Sequence, residues 1–307
     1  MSSDTVGVII PMFNAARTIE ETLRSACGQT HRDLDIVVVD DGSTDAGPAI
    51  VQRFPDPRVR LLHQANAGVA AARNNGAGAT CAPYLAFLDA DDVWHPAKVG
   101  RQLALLADTP DALVWCWYDE IDDEGIVSAS PELRSSATLA DLCRWNIVGN
   151  GSSMLVSRRA FDDGGRFDTT LRERDAQGCE DYAFALSIAE RFPIRIVAER
   201  LMGYRVSNNN MSANTRKMWR SLNLVIDDFG ARHPEFAPDL QAHRGLATVC
   251  YYYRALQVRD YAAAWHFLRQ SMRDCAMQPK MRRNLIRSWL RHRLEDLRGR
   301  QVRPAVE

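Results

Sequence analysis

Residues 34–45, Leu-Asp-Ile-Val-Val-Val-Asp-Asp-Gly-Ser-Thr-Asp, decide the fold. The run Leu34–Val39 reads as a strand and stops at the acids Asp40 and Asp41. Gly42 permits a tight turn, and Ser43 or Thr44 is placed to cap the helix that follows. The same unit recurs to either side. Upstream, Val6–Ile10 is apolar and largely β-branched, as expected of a strand buried on both faces in a parallel sheet. Pro11 ends it, and Asn14 is placed to cap a helix over about 15–27. Downstream, a strand at about 58–63 leads into Asn66-Ala67-Gly68 and an Ala-rich helix carrying Arg73, Asn74 and Gly76. A fourth strand, Tyr84–Leu88, stops at Asp89-Ala90-Asp91-Asp92. Strand alternating with helix four times predicts an α/β fold with a right-handed, mostly parallel, doubly wound sheet. Ligands of such sheets bind beyond the carboxyl ends of the strands. Asn14, Asp41, Asn66 and Asp91 all fall at those ends.

Three acids within four positions repel one another and resist burial unless a positive charge lies between them. A divalent cation such as Mg²⁺ or Mn²⁺ suits such oxygens and keeps open positions for phosphate. The competing reading is a helix start, with Asp92 as cap and the acids set against the helix dipole. Spacing alone leaves both open.

Composition frames the chain. It has 307 residues, 46% apolar and 25% charged, with 38 basic against 39 acidic groups and a formal charge of −1. That is ample for a large core in one or two domains. No run of about 18 apolar residues is present, so no membrane-spanning helix is expected. The start, Met1-Ser2-Ser3-Asp4, carries no basic and apolar leader, and seven scattered cysteines include no CxxC pair. Both point to a cytoplasmic protein with reduced thiols.

Four strings carry a resemblance: the stretch VIIPMFN within 6–14, VVVDDGSTD (37–45), NAGVAAARNNG (66–76) and FLDADDVW (87–94). Their order and spacing resemble family 2 glycosyltransferases, which are inverting, nucleotide-sugar-dependent enzymes of GT-A fold. The likeness continues through Gly149–Asp168 and Cys179-Glu180-Asp181 to Tyr204-Arg205, about two-thirds of the chain. It implies a Rossmann-like GT-A domain over 1–212, with a nucleotide-sugar half (1–110) and an acceptor half (111–212), and an α-helical C-terminal region over 213–307.

The resemblance also implies roles. Pro11, Phe13 and Asn14 would line the base and ribose, and Asp41 would accept from the base, against a plain turn role for that residue. Asn66 and Gly68 would belong to the donor loop. Arg73 would offer its fork to the diphosphate, with a surface salt bridge as competitor. Asp89 and Asp91 match the family's DxD motif, with Asp89 nearer the ribose, Asp91 the metal ligand and Asp92 either a further ligand or a group supporting the ligands from behind. Asp40 reads as structural. Asp181 would be the general base, with Glu180 orienting it or touching the acceptor, and plain capping of the following helix, Tyr182–Arg191, is the alternative. Arg205 would reach a phosphate. Family members often carry a His after the Tyr-Arg pair, but Val206–Ser212 contains none, so the residue completing a metal shell is unassigned.

A sugar nucleotidyltransferase would share the architecture but wants a Gly-rich basic loop after strand one, and Pro11–Arg17 has no glycine. A non-catalytic sugar-nucleotide-binding scaffold is the remaining alternative. The acceptor, a glycan or lipid-linked sugar of bacterial surface polysaccharide assembly at family level, would lie against Ser128–Asp175 and the helical tail. Trp145 and Tyr118 are candidates to stack on sugar rings, or are simply buried.

Beyond about residue 212 the chain reads as successive helices. Tyr261, Trp265, Leu268 and Met272 fall at helical spacing and predict a core stripe. The tail, 280–303, carries nine basic and two acidic residues, with Leu285, Ile286, Trp289, Leu290, Leu294 and Leu297 on one helical side. Three readings compete: a solvated face over a packed stripe, a partner or homodimer helix, and a peripheral membrane anchor. Nucleic-acid binding is not expected, because the chain as a whole is not basic.

Overall fold

A computed structural model describes residues 4–129, 136–147, 149–207, 211–273 and 279–297. The end of the tail (298–303), the asparagines 208–210 and part of the expected acceptor stretch lie outside the described residues. The chain resolves into two compact units. One comprises 1–142, 146–174 and 180–208, and the other 143–145, 175–179 and 209–307.

The first unit is built on one sheet. Its opening strands are β1 (Val6–Met12), β2 (Leu34–Asp40), β3 (Val59–His63) and β4 (Tyr84–Phe87), linked by α1 (Ile19–Cys27), α2 (Gly47–Gln52) and α3 (Val69–Gly78). The order β3-β2-β1-β4 is parallel throughout, with Val6 opposite both Leu34 and Tyr84. β1 is buried at every position and β2 at all but Asp35. This is the outcome expected of apolar strands covered on both faces.

Local boundaries differ from the sequence expectation in three places. Pro11 does not end β1; it pairs with Val39, and the strand runs to Met12. Asn14 does not cap α1, which starts four residues later than expected with Thr18 at its N-cap. Asn14 instead adopts a left-handed backbone (φ 51°). Its backbone N–H donates to Ser43 Oγ at 2.9 Å, and its side-chain oxygen accepts from the Thr44 N–H at 2.8 Å. The β1 and β2 loops are thereby stitched together. Asp45, rather than Ser43 or Thr44, accepts from the Gly47 N–H at the start of α2.

Beyond β4 the sheet is mixed. The elements are β5 (Val93–Trp94), α4 (Lys98–Asp108), β6 (Leu113–Ile121), β7 (Ile126–Ala129), β8 (Ser136–Ala137) and α5 (Leu139–Arg144). A single 3₁₀ turn (Gly151–Ser153), β9 (Leu155–Ser157), α6 (Arg158–Asp163), α7 (Thr170–Glu173), α8 (Glu180–Ala189) and β10 (Ile194–Arg205) follow. The order continues β4-β9-β6-β10-β5, with β9 antiparallel to both neighbours and β6 parallel to β10. The principal core draws on both parts, from Val8, Ile10 and Val38 to Leu88, Val114 and Leu155.

The second unit contains α9 (Thr215–Arg232), α10 (Ala237–Gln257), α11 (Tyr261–Arg273) and α12 (Pro279–Leu297). Its core is Tyr252, Ala255, Leu256, Ala263, Ala264, Phe267, Leu268 and Leu285. The stripe expected on α11 is corrected here. Leu268 is buried, but Trp265 and Met272 are exposed, and Ala263, Ala264 and Phe267 take the inward positions. Two small residues let the neighbouring helix approach, and Phe267 fills the space beside them. Trp145, considered for sugar stacking, packs 5.3 Å from the His243 ring.

Candidate active site

The site grows from the carboxyl edge of the parallel strands. At the end of β2, Asp40 accepts from the Ser43 N–H and pairs with His63, a structural arrangement. Asp41 is buried and accepts from Gln64 Nε2, the Ala67 N–H and the Gly68 N–H at 2.7–2.8 Å. It therefore holds the β3–α3 loop in place, and three contacts on two oxygens leave capacity for one more donor. Gly68, at the N-cap of α3, takes φ 90°, a conformation open to glycine. Asn66 accepts from Arg172 at 2.6 Å, and Phe13 is 52% exposed on the loop after β1.

The acids after β4 separate into three environments. Asp92 is fully buried. Its Oδ2 accepts from Ser152 Oγ at 2.5 Å and its Oδ1 from the Arg205 N–H at 2.8 Å. Both oxygens of Asp92 thus accept bonds that brace the loop. Burial, with the charges of Asp91 and Asp89, holds its pKa well above the ordinary value. Asp91 is only partly buried, and burial together with the Asp89 charge raises its pKa to about 6. Asp89 pairs with Arg73 Nη2 at 2.6 Å, while its N–H donates to Ser152 Oγ at 2.9 Å.

Both arginines expected at the phosphates are held by acids and a backbone carbonyl. Arg205 donates from Nε to the Asp91 carbonyl at 2.8 Å and from Nη2 to Glu21 at 2.6 Å, and pairs through Nη1 with Asp123 at 3.2 Å. It ties β10 to α1 and to the acid loop. Arg73 is 4% exposed and lies 5.1 Å from the Phe167 ring centre. Burial opposes its charge, and Asp89 and Asp181 outweigh that, so its pKa stands above the ordinary arginine value. Arg73 thus links the acid loop to α8.

At the head of α8, Glu180 is buried and Asp181 is partly exposed. Asp181 Oδ1 accepts from the Tyr182 N–H at 2.7 Å. Burial pushes its pKa to about 7; Arg73 opposes the rise and Glu180 adds to it. A carboxylate poised there suits proton abstraction near neutral pH.

The 3₁₀ turn Gly151–Ser153 lies within the stretch Gly149–Asp168 and backs the acid loop. Ser152 bridges Asp92 and the Asp89 N–H, and its carbonyl accepts from Trp94 Nε1 at 2.9 Å. A Cβ on Gly151 would stand 2.4 Å from Arg73 Nη2, so only glycine leaves the guanidinium its place. The faint signal was a run of small residues, Gly149–Ser153. Tyr118, the other candidate for sugar stacking, lies against Gly149 and edge-on to Tyr204.

The chain belongs to glycosyl transferase family 2, whose model matches residues 7–165. It is 30% identical over 223 residues to the putative teichuronic acid biosynthesis glycosyltransferase TuaG of Bacillus subtilis, covering 70% of this chain and 85% of TuaG. Against relatives from Rickettsia prowazekii and Rickettsia typhi, the matched stretch spans about half their length, 55% in each. The fold matches S. aureus TarS 1–349 in complex with UDP-GlcNAc (TM-score 0.64, 14% identity, 99% of this chain and 94% of that chain). It also matches the mannosyltransferase PcManGT of Pyrobaculum calidifontis in complex with GDP-Man and Mn²⁺ (TM-score 0.62, 20% identity, 96% and 88%). The architecture is therefore GT-A with C-terminal helices.

Proposed function

We propose that this protein transfers a sugar from a nucleoside-diphosphate donor to a hydroxyl of a glycan or lipid-linked acceptor, with inversion at the anomeric carbon. The observation that carries this reading is Asp181 at the head of α8, its carboxyl pKa raised by burial to about 7 and joined electrostatically through Arg73 to the acid loop. TuaG's association with teichuronic acid supports an acceptor in surface polysaccharide assembly.

The donor would lie along the strand ends. Phe13 and the loop from Pro11 to Asn14 would face the base and ribose, and the remaining acceptor capacity of Asp41 would meet a base N–H. Asp181 would take the acceptor proton as that oxygen forms its bond to C1. The C1–phosphate bond breaks in the same displacement, and the nucleoside diphosphate leaves. A single in-line step of this kind inverts C1, and positioning of the two substrates supplies much of the acceleration.

The residues fit a divalent metal. Asp91, a partly exposed residue, feels the charge of Asp89, and their oxygens would suit Mg²⁺ or Mn²⁺. Among the described residues no group of three or more His, Cys, Asp or Glu forms a cage, so a cation held by Asp91 would take further ligands from phosphate and water. When bound, it would supply charge that stabilises the departing diphosphate. Asp92 and Arg205 would hold the Asp91 backbone in place.

The test is a thermal-shift panel of UDP, GDP, dTDP and their sugar conjugates, with and without Mn²⁺, run on wild type and Asp91→Asn. A ligand at a hundred times its dissociation constant adds about 2.7 kcal/mol. Metal-dependent stabilisation by one nucleotide, lost in Asp91→Asn, is expected. The absence of any nucleotide response overturns the sugar-nucleotide reading. Donor hydrolysis without acceptor is measured alongside.

A further inference from the structure

We propose that the outer face of α12 docks on an anionic lipid surface. The helix is seated by its inner side. Leu285 is buried and its carbonyl accepts from Tyr252 Oη at 2.6 Å, while the Trp289 ring lies 5.1 Å from that of Trp265. At 100° per residue, Arg283, Ile286, Arg287, Leu290, Arg291 and Leu294 gather on the opposite arc. Ile286, Leu290 and Leu294 are 38%, 49% and 50% exposed, and the three arginines are exposed beside them. The core of this unit uses none of the three aliphatic chains.

A helix face turned only to water would carry polar residues at 286, 290 and 294. The occupant must accept three aliphatic chains and offer anions to three arginines in the same strip. The interface of an anionic bilayer does both, with acyl chains below and phosphates above. From Lys280 to Leu294 there are six Lys or Arg and no acid; Glu295 and Asp296 come only in the last turn. No helix among the described residues is long and apolar enough to cross a membrane, so α12 would lie on the surface.

The experiment is co-sedimentation of the full chain with vesicles of phosphatidylcholine alone, or of phosphatidylcholine with phosphatidylglycerol. Two variants accompany wild type: Ile286→Ser/Leu290→Ser/Leu294→Ser and Arg283→Gln/Arg287→Gln/Arg291→Gln. Both alter exposed positions, and an unchanged circular dichroism spectrum and melting temperature verify folding. Wild type is expected to bind the anionic vesicles only. The arginine variant should bind about a hundredfold more weakly, and binding should weaken with salt. The aliphatic variant should also lose binding at low salt. Binding that survives the aliphatic substitutions would mean charge alone and overturn insertion of this face. No vesicle binding, with concentration-dependent self-association abolished by the aliphatic variant, would assign the face to a second copy. No binding and no association would overturn the proposal outright. Each outcome is read without reference to sugar transfer.

Discussion

After β4, the buried carboxylate of Asp92 meets its isolation with hydrogen bonds; at the head of α8, the carboxylate of Asp181 meets its own with a cation. The pKa of both is raised by burial first. Ser152 and the Arg205 N–H each donate to an oxygen of Asp92, which has no exposed surface. Asp181 keeps partial exposure, one backbone bond and the field of Arg73. A carboxylate closed off by neutral donors holds a loop in shape, while one balanced by a nearby charge remains able to exchange a proton. Arg73 also pairs with Asp89, so the field at the base depends on the acid loop.

The sharpest way to break this comparison is to remove one charge at each place. Asp181→Asn should lower kcat by roughly 10²–10⁴-fold, the usual worth of a general base. It should also stabilise the protein at pH 8. The sign follows from the raised pKa: the folded state binds the proton more tightly than the unfolded chain, so Asp181 costs stability as pH rises from about 4 through 7. Relief of about 1–2 kcal/mol is expected, seen as a higher melting temperature at pH 8 than wild type and a smaller difference at pH 5. A loss of both activity and stability at pH 8 would make Asp181 a structural cap.

At the acid loop the opposite pattern is expected. Ser152→Ala leaves buried Asp92 without its hydroxyl donor and the Asp89 N–H without its acceptor, and should cost about 2–3 kcal/mol in denaturant unfolding. Gly151→Ala presses on Arg73 instead. It should lower kcat more than stability, because the displaced guanidinium loosens its pairing with Asp89 and changes the charge felt at Asp181.

Titration compares the two places in the unmodified protein. Below pH 7, kcat should fall about tenfold per unit as Asp181 takes up its proton. Cation affinity should fall below about pH 6, where Asp91 becomes neutral. Two separate breaks, one in kcat at saturating metal and one in metal affinity, would distinguish base from ligand. A single break common to both would merge them.

The two halves of the first unit also differ in how far sequence foretold them. β1 to β4 were legible because strands buried on both faces must be apolar along their length, and each stops at a polar loop. Asp89, Asp91 and Asp181 were singled out by family pattern, and the fold sets them at the end of β4 and the head of α8. The engagement of Arg73 and Arg205 was not, since an arginine reads alike whether its fork awaits a phosphate or closes on Glu21, 184 residues away. Ser152 was invisible for the same reason: it meets Asp92 from 60 positions distant. On α11 large apolar residues lie on both sides, so periodicity placed Trp265 in a core that Ala263, Ala264 and Phe267 occupy.

The smallest expected effect probes the layer behind Ser152. Trp94 donates its indole N–H to the Ser152 carbonyl, and the buried Lys98 ammonium lies 4.2 Å from its ring centre. Trp94→Phe keeps an aromatic face for Lys98 but removes the donor, leaving a buried carbonyl one bond short. A stability loss of about 1 kcal/mol is expected, with the pH break in kcat still near 7, because neither Arg73 nor Asp181 is touched. Should that break move by a unit, the 3₁₀ turn would be transmitting strain through Gly151 to Arg73. The acid loop and the base would then be one mechanical unit rather than two corners sharing a charge.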